Sequence, residues 1–144
     1  MTRSDWILLA INASPKRTLS PVQLQKALFL FSMNLSDSQR KTEQFYNFEP
    51  YDYGPFDRSI YDDADRLVSA GEVSISESTS RYRTYSATPA GASRAEELCR
   101  VLHADVLDYV RRVVTWVCSL SFNGLVKAIY REYPAMRANS VFQD

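Results

Sequence analysis

Apolar residues alternate between helical and strand-like spacing along this chain, and the clearest pattern lies between residues 55 and 91. Ile60, Ala64 and Leu67 fall at i, i+4 and i+7, and Val68 widens the same stripe. This spacing places them on one face of an amphipathic helix, which we expect over about residues 55–70.

Two short strands are predicted to follow that helix. Gly71 supplies the positive-φ residue that often ends helices. Val73 and Ile75 then alternate with polar residues, and after a turn at 78–80 the chain returns as a second strand over 82–87.

Another helix is predicted to begin directly after the second strand. Thr88 can cap it through its hydroxyl, and Pro89 suits the first helical position, where no backbone N–H is needed. A helix, a two-stranded wing and a capped helix form the layout of a winged helix-turn-helix. We therefore predict a winged-helix-like core over about residues 4–91, a fold that usually reads DNA or another protein.

The N-terminal half adds two helices and an extended segment. The first helix is expected over 4–12. The second begins after Ser20, with Pro21 at its first position and Gln23 completing a capping box. Residues 34–42 are polar and predict a loop. Residues 45–53 alternate aromatic and polar side chains, which favours an extended segment ending in a turn at Gly54-Pro55.

Helical spacing continues over residues 92–120, as one long helix or a kinked pair. Ser121 is expected to cap a last helix that Pro134 ends. The predicted fold is therefore mainly α with a small β-hairpin. It forms a single domain over 1–144, in which a helical extension over about 92–138 follows the winged-helix-like core.

Charge and composition limit the classes of partner that the protein is expected to bind. Seventeen basic and seventeen acidic residues cancel, so the chain lacks the strong field that draws proteins onto nucleic acid or anionic membranes. No apolar segment is long enough to cross a bilayer, and the N-terminus has no signal-peptide pattern. We expect a cytoplasmic protein without a membrane partner.

The reactive side chains predict no catalysis. Cys99 and Cys118 lie in apolar helical patterns without C-x-x-C spacing, which favours two core positions over a disulfide or zinc site. His103 is the sole histidine and has no partner at metal or nucleophile–base spacing. Four glycines leave no phosphate-binding loop. We expect no catalytic residues, cofactor or metal, and no enzymatic activity.

Two clusters resemble the Panacea-domain family. Leu24-Gln25-Lys26, followed by apolar residues to Leu30, is similar to that family's "LQK-LL-F" helix. Tyr53-Gly54-Pro55-Phe56, followed by Ile60-Tyr61, is similar to its "YGP…-Y" signature. The resemblance covers about residues 5–72. The hairpin and the long C-terminal helix resemble the family's hypothetical proteins more than its characterised antitoxins.

This resemblance implies a small bacterial or phage-associated protein, often the antitoxin of a two-gene module, whose principal ligand is a protein. The residues that it proposes for partner contact are Gln25, Lys26, Tyr53, Gly54, Pro55, Phe56 and Tyr61. Exposed aromatics on a loop can anchor such an interface. Alternatively, the 53–56 turn is structural, with its aromatics packed under the wing.

The predicted helix over 55–70 occupies the place of a recognition helix, but four aspartates face two arginines on or near its polar side. Three interpretations of this face remain. It is solvated and carries internal Arg–Asp pairs, it binds a protein, or it reads DNA. In the DNA-binding alternative, the protein is a dimeric transcriptional regulator. The side chains that would contact phosphates are then Arg58, Arg66, Arg81 and Arg83. Otherwise the two wing arginines pair with Glu72 or Glu77.

The end of the long C-terminal helix carries more apolar surface than one stripe needs, including Val113 and Trp116. This surface forms a homodimer contact, or the last helix folds back and covers it. Our first hypothesis is a non-enzymatic winged-helix-like adaptor or antitoxin-type protein that binds a protein partner.

Overall fold

The computed structural model describes residues 1–77 and 83–143. This part of the chain is mainly helical, with a three-stranded antiparallel sheet and a separate two-stranded hairpin. The helices are α1 (Asp5–Ala13), α2 (Pro21–Asn34), α3 (Asp37–Arg40), α4 (Ser59–Ser69), α5 (Pro89–Val101), α6 (Ala104–Ser119) and α7 (Phe122–Glu132), followed by a 3-10 turn (Pro134–Arg137). The strands are β1 (Thr18–Leu19), β2 (Glu49–Tyr51), β3 (Gly54–Phe56), β4 (Val73–Glu77) and β5 (Arg83–Ala87).

The order α1, β1, α2, α4, β4, β5 is that of a winged helix-turn-helix, and the sheet order is β1-β5-β4. The predicted fold class is therefore confirmed. Sequence analysis missed β1, because two residues are too few to show alternation. β1 joins the sheet by pairing Thr18 with Ser86 and Leu19 with Tyr85. The predicted turn at 78–80 lies outside the described residues.

The local signals for helix ends are confirmed. The Ser20 hydroxyl accepts a bond from the Gln23 N–H at 3.2 Å, and the Gln23 amide oxygen accepts one from the Ser20 N–H at 2.9 Å. Thr88 and Ser121 each accept a bond at 3.1 Å from the backbone N–H three residues further on. Gly71 follows α4 with φ +78°. Each signal acts within a few residues, so tertiary context does not change it.

The expected turn at Gly54-Pro55 is wrong. Gly54–Phe56 forms strand β3, with Gly54 opposite Tyr51 and Phe56 opposite Glu49. The chain therefore reverses at residues 52–53, and α4 begins at Ser59 rather than near residue 55. Gly54 and Pro55 are buried, so packing of this segment overrides the turn tendency of the Gly-Pro pair.

The loop expected over 34–42 contains the short helix α3. Its capping box joins Ser36 and Gln39, with bonds of 2.9 and 3.1 Å. Arg40, at its end, is buried, and its backbone carbonyl accepts a bond from the Trp6 indole N–H at 3.0 Å. This contact joins α3 to α1, whose residues from Asp5 to Ile11 are all buried.

The long C-terminal helix is a pair, broken at residues 102–103, where the His103 ring nitrogen caps α6 by accepting from the Asp105 N–H at 3.2 Å. Val113, Val114 and Val117 are buried, mainly because α6 packs against α1 and α2. The last helix, α7, which was one of the two alternatives for covering this surface, packs mainly against β3 and the 3-10 turn. Cys99 and Cys118 are partly buried against the core. No helix in the described ranges has the length and apolar character to span a membrane.

Candidate protein-interaction site

The two sequence clusters that resemble the Panacea motifs meet in space. Gln25, on α2, donates from its amide nitrogen to the Asp57 carbonyl at 2.9 Å. Its amide oxygen accepts from the Asp57 N–H at 3.0 Å. Gln25 thus pairs with the backbone between β3 and α4 as a neighbouring strand would, and holds that connection against α2.

Lys26 lies beside Gln25 and is buried, with 3% of its surface exposed. Its ammonium donates to the Pro55 carbonyl at 3.2 Å. Burial lowers the pKa of Lys26 to about 8, because the ammonium loses its hydration. This lysine ties β3 to α2 and is enclosed by the fold, so it cannot touch a partner directly.

Gly54 and Pro55 also belong to the interior of this junction. Gly54 has φ +107°, and an added Cβ would lie 3.4 Å from the Tyr130 ring and 3.6 Å from the Lys26 chain. Both residues are buried. Of the seven motif residues, Gln25, Lys26, Gly54 and Pro55 therefore position the hairpin, whereas the aromatic ones lie further out.

Asp57 sets the start of α4. Its carboxylate accepts from the Ser59 N–H at 2.8 Å and from the Asn47 N–H at 2.7 Å. The carboxylate thus satisfies a backbone donor of the first helical turn and also joins the segment before β2 to it.

Aromatic rings cover the outer side of the β2–β3 hairpin and reach α7. Ring centroids lie 4.7 Å apart for Tyr51 and Phe56, 5.7 Å for Phe56 and Tyr61, and 5.1 Å for Tyr53 and Phe122. We call these five residues the aromatic face. Tyr51, Tyr53 and Phe122 remain 47%, 42% and 43% exposed. Sequence analysis did not propose Tyr51 or Phe122, and nothing in the sequence indicates that Phe122 meets a hairpin so far away in the chain.

The outer face of α4 is less acidic than predicted, because Asp63 is buried and two exposed aspartates stand beside two exposed arginines. Arg58, Asp62, Asp65 and Arg66 are exposed. The Arg66 guanidinium forms the expected intrahelical pair, with the Asp63 carboxylate at 2.7 Å. On this helix, therefore, one of the two arginines proposed for DNA contact is held by an aspartate.

Asp63 itself lies in the interior, which the sequence did not indicate. Its carboxylate also accepts from the Arg3 guanidinium at 3.0 Å and from the Tyr46 hydroxyl at 2.7 Å. Burial and the bond to Asp63 raise the pKa of Tyr46. This cluster joins the N-terminus and the segment before β2 to α4.

The wing contributes little cationic surface in the described residues. Arg83 faces Glu77 across the hairpin at 3.6 Å, as one alternative predicted. Arg81 lies outside the described residues. Glu72 pairs with Arg94 at 2.9 Å rather than with Arg83, and Arg94 also bonds to Asp5.

Residues 1–77 and 83–143 hold no group of three or more His, Cys, Asp or Glu side chains that could hold a metal ion. Comparisons of the chain with protein-family models, curated proteins and solved structures give no match. The function is therefore inferred from the chain's own residues and geometry.

Proposed function

We propose that this protein is a non-enzymatic, antitoxin-type adaptor that binds a protein partner through the aromatic face. The observation that carries the proposal is the exposure of Tyr51 and Tyr53 on a hairpin whose underside is held by Gln25 and Lys26, with the exposed Phe122 of α7 beside it. Tyrosine and other aromatic side chains supply much of the binding energy in protein interfaces.

The rigidity of the hairpin supports this proposal. Strand pairing between β2 and β3, the two Gln25 bonds and the Lys26 bond hold in place the hairpin that carries Tyr51, Tyr53 and Phe56. A surface ordered before binding loses less conformational entropy when a partner docks. When a partner buries the exposed rings, less of the favourable free energy is therefore offset by lost conformational entropy.

Charge also favours a protein over DNA as the partner. The net charge is zero, and α4, in the place of a recognition helix, presents Asp62 and Asp65 outward beside Arg58 and Arg66. DNA grooves are walled with phosphates and are normally met by basic side chains. Together with the Panacea-like motifs, this supports a role in a two-gene module in the bacterial cytoplasm.

Affinity purification from the native host tests the proposal. We expect the wild-type protein to retain a stoichiometric protein partner. Changing Tyr51→Thr together with Tyr53→Ser should weaken that complex by about a hundredfold or more, since two anchoring aromatics are lost. Calorimetry with the purified partner measures the loss.

Trp116→Gln is the matched control, because Trp116 is a 40% exposed aromatic on α6, outside the hairpin. It should bind the partner like wild type. If Trp116→Gln alone abolishes binding, the interface lies on α6 and the proposal is wrong. It is also wrong if no partner is retained at any salt concentration while the protein shifts its own upstream DNA with steep salt dependence.

A further inference from the structure

The sheet has an incomplete edge. β1 provides partners only for Tyr85 and Ser86, although β5 begins at Arg83. If β1 continued in register, Ser20 would stand beside Thr84 and Pro21 beside Arg83. Instead Ser20 caps α2 and Pro21 begins it, so the chain leaves the sheet. Within the described residues, the outer edge of β5 at Arg83 and Thr84 therefore has no strand partner.

A groove of about 440 Å³ opens where β1 leaves this edge. It lies between β5, the start of α2, α4 and the residues around the start of α7. Its walls are mainly apolar, including Val22, Leu120, Phe122 and Leu125. Arg83 is the one charged side chain among the described lining residues, and none of them is acidic.

We propose that an extended segment of the protein partner adds to this edge of β5 as a further strand, places an apolar side chain in the groove and sets a carboxylate beside Arg83. The inference rests on the proposed function and identifies how the partner is held. Unpaired N–H and C=O groups at a sheet edge are a template for strand addition, while pockets beside the edge select alternate side chains.

The groove is continuous with the aromatic face, because Phe122 belongs to both. A partner seated on Tyr53 and Phe122 therefore also adjoins the groove beside the β5 edge.

The charge of Arg83 indicates that the partner segment carries a carboxylate. Arg83 meets Glu77 only at 3.6 Å, and the Glu77 side chain is 74% exposed. An exposed pair of this kind contributes little stability and is easily exchanged. A carboxylate from the partner can form shorter, bidentate bonds with the same guanidinium.

A peptide titration followed by backbone NMR tests the inference. The probe is an end-capped peptide, Thr-Val-Thr-Phe-Thr-Asp, whose alternate residues can face the groove. We expect shifts concentrated at Val22, Arg83, Thr84 and Leu125, with binding at or below about 1 mM. No shifts at these residues at that concentration would overturn the inference.

Two N-methylated versions of the peptide distinguish strand addition from simple apolar binding. One is methylated at its odd backbone nitrogens and the other at its even ones. Only one edge of an added strand can face β5, so one version should bind about tenfold more weakly and the other like the parent. Equal affinities for the two would overturn strand addition.

Val22→Asp places a charge in the apolar groove, at a position in the first turn of α2 where an acidic residue is favourable for the helix. We expect it to weaken both the peptide and the native partner about tenfold or more, whereas Val22→Ile should bind both like wild type. If the partner binds Val22→Asp normally but not the Tyr51/Tyr53 variant, the proposed function stands and this inference fails. If wild type captures no partner, the proposed function fails and the assignment of the strand to a partner falls with it.

Discussion

Two buried charged side chains differ in how the fold treats them. Lys26 and Asp63 have 3% and 4% of their surface exposed. The Asp63 carboxylate accepts from Arg3, Tyr46 and Arg66, whereas the Lys26 ammonium donates to a single backbone carbonyl. The two charged groups are about equally buried, but hydrogen bonds replace the lost hydration of Asp63 far more completely than that of Lys26.

The difference shows that partners, rather than burial alone, decide what a charged group costs. Asp63 exchanges its hydration for three charge-assisted or hydroxyl bonds, so it stabilises the junction of three segments. Lys26 recovers only part of its lost hydration, and its pKa is lowered to about 8 in consequence. The unfavourable free energy of burying this ammonium is therefore located beneath the hairpin that carries Tyr51 and Tyr53.

Removing Asp63 should have the largest effect. We expect Asp63→Ala to lower the free energy of unfolding by about 3 kcal/mol, because the buried Tyr46 hydroxyl and the Arg3 guanidinium lose their acceptor. Arg66→Ala is the control. Its side chain is 77% exposed, so the loss should stay below about 1 kcal/mol. Urea unfolding measures both, and equal losses would show that Asp63 does not organise the cluster.

Lys26 should make stability depend on pH. Its pKa in the folded protein, about 8, lies below its ordinary value of 10.5. The unfolded chain therefore holds a proton that the folded one releases between these values, and stability rises with pH across them. We expect Lys26 to contribute a gain of about 2 kcal/mol between about pH 7 and 9.5, measured as the difference between wild type and a variant without this ammonium.

Lys26→Met isolates this effect, since it keeps every other titratable group. Its stability should lack the rise that wild type shows in urea unfolding across the same range. Measurement stops below the pH at which tyrosines ionise in the unfolded chain, near about 10, because the buried phenols of Tyr46 and Tyr61 have raised pKa values and would reverse the trend. Parallel curves for the two proteins would contradict the prediction.

Replacing Gly54, which lies next to the Lys26 side chain, should have an effect of similar size. Its φ of +107° and the nearby Tyr130 ring leave a side chain strained and crowded. Gly54→Ala should cost about 2 kcal/mol. Gly71→Ala, at φ +78° with nothing within 4 Å of the added Cβ, should cost about 1 kcal/mol. Thermal unfolding compares them, and a larger loss at Gly71 would show that Lys26 and Tyr130 leave room for a side chain.

Sequence reasoning reached the candidate site only in part. Gln25, Lys26 and Tyr53, which the motif resemblance proposed for partner contact, lie in or beside the β2–β3 junction. The resemblance did not separate the residues that hold the hairpin from those that face outward, because side-chain direction depends on the pairing of β2 with β3. Phe122 was missed because α7 reaches the hairpin only in the folded chain.

The amino-acid sequence by itself determined the winged-helix order of elements apart from β1, and most helix ends, since caps such as Ser20 and Thr88 act on backbone groups within a few residues. Only the tertiary structure decided that Gly54-Pro55 lies in a strand, that Lys26 and Asp63 are buried, and that β1 leaves part of β5 unpaired. These outcomes depend on which distant segments pack together, because burial and strand pairing are properties of the assembled core rather than of any local pattern.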